Sequence, residues 1–157
     1  MPKKANPIPA GIQTMTPHFV VRGAEKAIDF YKRAFGAEEV DRMTGPDGKT
    51  IWHARLRIGT SNLFLAEEGT APGDKSPQSL GGSPMSIQMY VEDAAAALKR
   101  AVDAGAVVKK SLEETFWGDL YCQVMDPFGF RWAIAQRVHD LTDTELKHAV
   151  KAAASLK

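Results

Sequence analysis

With 157 residues, 44% of them hydrophobic, the chain has the size of one ordinary domain and enough apolar content for a real core. Its 20 basic and 19 acidic side chains leave a net charge of +1, so no global field recruits nucleic acid or an anionic membrane. No apolar run is long enough to cross a bilayer, and the lone cysteine, Cys122, excludes both an intrachain disulfide and a Cys-based zinc framework, which fits a reducing cytoplasm.

The opening MPKKANPIPAGIQTM (residues 1–15) carries two lysines but no apolar stretch behind them, and reads as a flexible arm rather than a signal peptide. TPHFVV (Thr16 to Val21) is a short strand behind it. After Gly23 the period changes. Ala24, Ala27, Ile28, Tyr31, Ala34 and Phe35 recur at helical spacing, and Gly36 ends the helix. Three strand-like runs follow: AEEVDRMT, KTIWHARLRI after the turn GPDG, and SNLFLAE after GT.

The same order then repeats. SIQMYV is a strand, Asp93 caps a helix bearing Ala94, Ala97, Leu98, Ala101 and Val102, and Gly105 closes it. AVVKKSL, GDLYCQVMD and FRWAIAQ are three more strands. The two helix-ending glycines lie 105 − 36 = 69 residues apart, and an internal β-α-β-β-β duplication is the simplest account. Module one spans residues 16–68 and module two residues 84–137. The loop 69–83 between them is a plain crossover or a lid over a site. The tail, residues 138–157, reads as a third helix opened by the Thr142/Glu145 capping box, with Leu146, Val150 and Ala153 as a narrow stripe for its own domain or a second subunit.

Strand alternation sorts the polar residues. Phe19 and Val21 face the first helix, which leaves Thr16 and His18 for the other side. In IWHARLRI, Trp52, Ala54, Leu56 and Ile58 form the packed face, and His53, Arg55 and Arg57 take the opposite one. In the second module Ser86, Gln88, Tyr121, Gln123 and Arg131 are the polar counterparts, while Leu120, Cys122 and Val124 are core. Trp117, in the loop FWGD, is a candidate wall for a ligand. Phe64 and Phe116 either stack on a planar ligand or fill the core. Arg55 and Arg131 either clamp an oxyanion or stand as solvated edge charges.

TPHFVVRGAEKAIDFYKRAFGAEEV, IWHARLRIGTSNLFLAEE, SLGGSPMSIQMYVED, FWGD and DPFGFRWAIAQ together resemble the vicinal oxygen chelate superfamily, which includes glyoxalase I, bleomycin- and fosfomycin-resistance proteins and extradiol dioxygenases. The chain is similar to its small glyoxalase-like bacterial members from about Thr16 to about Gln136. The resemblance implies an α+β fold in which two β-α-β-β-β modules form a curled mixed sheet around a cup, with helices outside, and a homodimer. It also implies metal ligands on the first and last strands of each module, at positions that here hold Thr16, Phe64, Ser86 and Ala133. Hydroxyls, a phenyl and a methyl do not make a divalent-metal site, so no metal and no other cofactor is expected there. A displaced site built on His18 and His53, with Gln88 and Glu67 or Glu68, is the alternative, as are plain hydrogen-bonded strand histidines. The expected function is binding of a small polar or anionic molecule through Arg55, Ser86, Gln88, Trp117, Tyr121, Gln123 and Arg131. The competing reading is an enzyme, a glyoxalase-like lyase/isomerase or a dioxygenase, with His53 and His18 as acid–base groups or displaced ligands. A third is an interaction module with no working cup.

Overall fold

The computed structural model describes residues 4–155; the first three residues of the arm and the last two of the tail lie outside the described residues. The chain divides after Leu80 into two compact units. Each carries one copy of the duplicated module.

In the first unit the elements are β1 (His18–Val21), α1 (Ala24–Phe35), β2 (Glu38–Thr44), β3 (Ile51–Ile58) and β4 (Ser61–Glu67). They form a four-stranded sheet in the order β1-β4-β3-β2, with β1 parallel to β4 and the other pairs antiparallel. The parallel pair demands a crossover, and α1 supplies part of it. Ala27, Ile28, Tyr31 and Ala34 of α1 are buried, as are Phe19, Val21, Ala54, Leu56, Leu63 and Leu65 of the sheet, which puts the core between helix and sheet. Gly23 gives α1 no side-chain cap. Instead Glu67, at the end of β4, accepts from Gly23 N at 2.9 Å and Ala24 N at 2.7 Å, bringing a carboxylate to the positive helix end. Gly36 ends α1 in the left-handed conformation, as its position in the sequence predicts (φ 65°).

A short helix, α2 (Pro77–Leu80), closes the first unit. Glu68 accepts from Ser76 N at 2.9 Å and from Arg22 Nε at 2.7 Å, and Arg22 Nη2 reaches Ser79 Oγ at 2.6 Å. The segment between the modules is therefore tied down as far as α2. At the other end of the unit, buried Asn62 donates to Gly11 O at 2.8 Å and Gln13 Oε1 at 2.5 Å, which fastens part of the arm to β4.

The second unit repeats the plan with β5 (Ser86–Tyr90), α3 (Ala94–Ala104), β6 (Val107–Glu114), β7 (Asp119–Met125) and β8 (Arg131–Arg137), in the sheet order β5-β8-β7-β6. Asp93 caps α3 by accepting from Ala96 N at 2.9 Å. The buried stripe of α3 is narrower than its periodicity suggests: Ala94, Ala97 and Ala101 are buried, whereas Val102 is exposed. Small residues let the helix lie close on Cys122, Val124, Trp132 and Ile134, all buried. In the Asp-Pro-Phe-Gly turn, buried Asp126 accepts from Phe128 N and Phe130 N at 2.9 Å each, and from Trp132 Nε1 at 2.9 Å. The turn thus locks the register of β7 against β8. Last comes α4 (Asp143–Ala154), which has its Thr142/Glu145 capping box in place but buries none of its residues. Its stripe is open to solvent.

Neither sheet closes on itself: β1 and β2 are the edges of one, β5 and β6 of the other.

Candidate functional site

The first unit gathers its polar candidates on the face of the sheet turned away from α1. The register places His18 opposite Phe64, Phe64 opposite Arg55, and Arg55 opposite Asp41, one row across all four strands. His53, two residues before Arg55 on β3, shares that face. Three rings meet edge to face there. Centroids lie 4.8 Å apart for His53 and Phe64, 6.1 Å for His18 and His53, and 6.5 Å for His18 and Phe64. Phe64 is half-buried among them rather than packed under α1. Burial pushes the His53 pKa below the usual imidazole value, the charges of His18 and Arg55 push the same way, and Asp41 opposes them. Arg55 Nη2 lies 2.8 Å from Asp41 Oδ2, and Arg55 Nε is buried with no hydrogen-bond partner. Thr16 precedes β1, and its buried hydroxyl also lacks a partner. His18, not Thr16, is the first-strand residue opposite Phe64.

Trp52 departs from the packed face predicted for it. It has the parity of Ala54 and Leu56, yet 46% of it is exposed. It lies at the end of β3 against Gly45, where an added Cβ would come within 2.5 Å of Trp52 Nε1.

For a metal ion, this face offers two imidazoles. Their other neighbours are the Arg55 guanidinium, the Phe64 ring and the Asp41 carboxylate, whose Oδ2 is engaged by Arg55 Nη2 at 2.8 Å. Glu67 is engaged by the start of α1 and Glu68 by Arg22 and Ser76, so neither joins the histidines as a third donor. Among the described residues no group of three or more His, Cys, Asp or Glu is arranged to hold a metal. The set falls short of the three or four protein ligands that zinc or iron takes, and does not fit the metal that the resemblance implies.

In the second unit, Ser86 stands opposite Arg131, and Gln88 opposite Ala133, which in turn faces Gln123. Ser86, Gln88 and Arg131 are exposed; Tyr121, Gln123 and Trp117 are half-buried. Gln123 Nε2 donates to Tyr121 Oη at 2.7 Å, and Lys110 Nζ sits 5.5 Å over the Tyr121 ring. Cys122 is fully buried on the other face, where burial raises its thiol pKa, the opposite of what a nucleophile requires.

A second cluster escapes the sequence reading. Asp119, 0% exposed, accepts from Tyr90 Oη at 2.8 Å and from Trp117 Nε1 at 3.1 Å through the same oxygen, Oδ2. Arg137 Nε lies 2.8 Å from the other oxygen, a charge contact rather than an aligned hydrogen bond. Trp117 in turn meets Tyr121 (5.8 Å) and exposed Phe116 (4.9 Å) edge to face. The indole is thus fixed by a buried carboxylate. Asp119 lies inside the predicted strand GDLYCQVMD and shares the parity of Tyr121 and Gln123, so carrying that alternation one step back is the signal that finds it.

The family model described as Glyoxalase/Bleomycin resistance protein/Dioxygenase superfamily matches residues 12–134. An uncharacterized protein of Mycobacterium tuberculosis is 45% identical over 139 residues, 87% of this chain and 81% of its own length. The X-ray structure of a gene product from Arabidopsis thaliana superposes with a TM-score of 0.66 at 30% identity, covering 79% of this chain and 98% of that one. The crystal structure of TioX from Micromonospora sp. ML1 gives 0.64 at 24% identity, over 80% of this chain and 99% of that one, a likeness of fold alone.

Proposed function

Because the chain belongs to the glyoxalase/bleomycin resistance protein/dioxygenase superfamily, we propose that it binds a small polar or anionic molecule on the sheet face that carries His18, His53, Arg55 and Phe64, without the superfamily's metal. One observation carries this reading: a guanidinium with a buried, unpartnered Nε stands beside two histidines and a phenyl ring, and it engages Asp41, the one carboxylate of that row. A buried donor without a partner is costly to leave unmade, and an anionic ligand atom satisfies it. Within the second unit taken by itself, Trp117, Tyr121 and Gln123, with Ser86, Gln88 and Arg131, are the residues we propose as ligand contacts.

The test is metal analysis of untagged protein together with ligand binding. The expected outcome is substoichiometric metal and binding that Arg55→Met weakens severalfold or more. Stoichiometric zinc, iron, manganese or nickel that disappears in His18→Ala or His53→Ala would overturn the metal-free part. Binding that ignores Arg55→Met would overturn the site.

The runner-up is an enzyme in which His53 acts as the base. Its support is the depressed His53 pKa, which keeps the imidazole neutral and able to accept a proton near pH 7. Turnover of a bound molecule that His53→Gln abolishes, with binding intact, decides for it. We further propose a homodimer working in the cytoplasm. The open stripe of α4 offers surface to a second copy, and the buried lone thiol suits a reducing compartment. Light scattering that gives a monomer mass at working concentration would remove the dimer.

A further inference from the structure

An irregularity in β2 decides what faces Arg55. Glu39 stands opposite Leu56, and the next paired residue, Asp41, stands opposite Arg55, the neighbour of Leu56 on β3. One residue on β3 is thus matched by two on β2, and Val40 is the extra one: a β-bulge. In an unbroken strand residues 39 and 41 would share a face. Here they do not. Glu39 lies in the row of buried Leu56 and pairs with Lys32 of α1 at 2.9 Å, while Asp41 lies in the row of His18, Phe64 and Arg55. The bulge delivers a carboxylate to a face where simple alternation would put the Val40 side chain.

What that carboxylate does there is incomplete. Nε and Nη2 form one edge of a guanidinium, the edge on which a carboxylate makes two parallel hydrogen bonds. Asp41 Oδ2 lies 2.8 Å from Nη2 as a charge contact rather than an aligned hydrogen bond, and Nε on the same edge is buried without a partner. The two partners are also held unequally: the Arg55 side chain is 23% exposed, that of Asp41 53%. The cation is set into the sheet, and its anion is the loose member of the pair.

We propose that Arg55 anchors a carboxylate subsite that Asp41 half-fills in the free protein. An incoming carboxylate takes both N–H groups of the Arg55 edge, and the Asp41 side chain moves out to solvent. Asp41 is the exposed member of the pair and water screens its charge, so its release costs little. Phe64 beside Arg55, with the His53 ring 4.8 Å from it, offers an apolar wall to the carbon skeleton, which suits an aromatic or aliphatic monocarboxylate. The single guanidinium favours one negative charge over two. Asp41 is thus a specificity-determining residue that competes with the ligand. The proposal rests on the reading that this face binds the ligand, and its test separates the two.

The experiment follows the Arg55 Nε–H signal by NMR while benzoate is added to the full-length protein, with benzamide and inorganic phosphate as the other probes. Benzoate is expected to move the signal, benzamide to leave it alone, and phosphate to bind more weakly than benzoate. Asp41→Asn is expected to tighten benzoate binding about two- to fivefold, the worth of the exposed pair it removes. Asp41→Ser serves as a second variant without the carboxylate should Asp41→Asn disturb β2. Loss of benzoate binding in Arg55→Met, with Asp41→Asn and Asp41→Ser unchanged or weaker than wild type, overturns the Asp41 competition alone. Benzoate binding that persists in Arg55→Met overturns the ligand face itself. Phosphate binding tighter than benzoate overturns the carboxylate assignment.

Discussion

His53 links the candidate site to stability. Its folded pKa lies below the ordinary 6.5, with burial as the largest cause. Below pH 6.5 the unfolded chain therefore takes up a proton that the folded protein resists, and stability present above 6.5 is lost as pH falls through the folded value. His53→Gln is expected to flatten stability against pH in the window just below 6.5, read by denaturant unfolding at several pH values; an unchanged slope would count against it. Asp119 invites a different measurement. Its carboxylate fixes Trp117 and Tyr90, so Asp119→Asn is expected to cost about 1–3 kcal/mol, the usual penalty for spoiling buried hydrogen bonds, and to shift the tryptophan emission. Emission identical to wild type would mean that the indole is held by other contacts. These two residues differ in how far the sequence reveals them. His53 follows from alternation along HARLRI, because β3 pairs in step from His53 onward and its irregularity falls just before, at Trp52. Asp119 lies inside the predicted strand GDLYCQVMD, but its burial and its bond with Tyr90, 29 residues away, leave no local mark. Asp41 is harder still, since a bulge adds one to the count and no local signal in AEEVDRMT marks it.

Among the elements, the loop before β7 is the most constrained. Gly118 has φ 91°, its carbonyl accepts from both Val138 N and His139 N at 3.0 Å, and a Cβ on it would come within 2.4 Å of the His139 carbonyl oxygen. Gly118→Ala is expected to destabilise by at least about 1–3 kcal/mol from backbone strain alone, with the clash added. A melting temperature within a degree of wild type would contradict this. The tail helix behaves oppositely. It is well capped yet buries nothing, so cutting the chain after Asp140 should leave the melting temperature of the monomeric protein nearly unchanged, while any dimer that uses the stripe should weaken. The segment between the modules was legible only as a long loop. Its fastening by Glu68, Arg22, Ser76 and Ser79 depends on side chains eight or more positions apart, which no local pattern encodes. Hydrogen bonds with Ser79, Arg22 and the Ser76 N–H, in that order, hold the Glu68 pKa down to about 2.

For the molecule as a whole, the duplication was the most legible feature, because periodicity, helix-ending glycines and strand order all repeat. Function was less so, since the same plan serves binding proteins and enzymes alike. The repeat also means that the chain contains its own control. Glu67 and Gln136 lie 136 − 67 = 69 residues apart, the interval of the two helix-ending glycines. Each reaches the start of its module's helix: Glu67 through Gly23 N and Ala24 N, Gln136 through Ala94 N at 3.0 Å. One copy places a charge at the helix start and the other a neutral amide in nearly the same role. Exchanging them, Glu67→Gln in one variant and Gln136→Glu in another, weighs a formal charge against a helix dipole twice within one protein, and the first is expected to cost about 0.3–1 kcal/mol. Where gene duplication left two versions of one joint, evolution has already run half of that experiment.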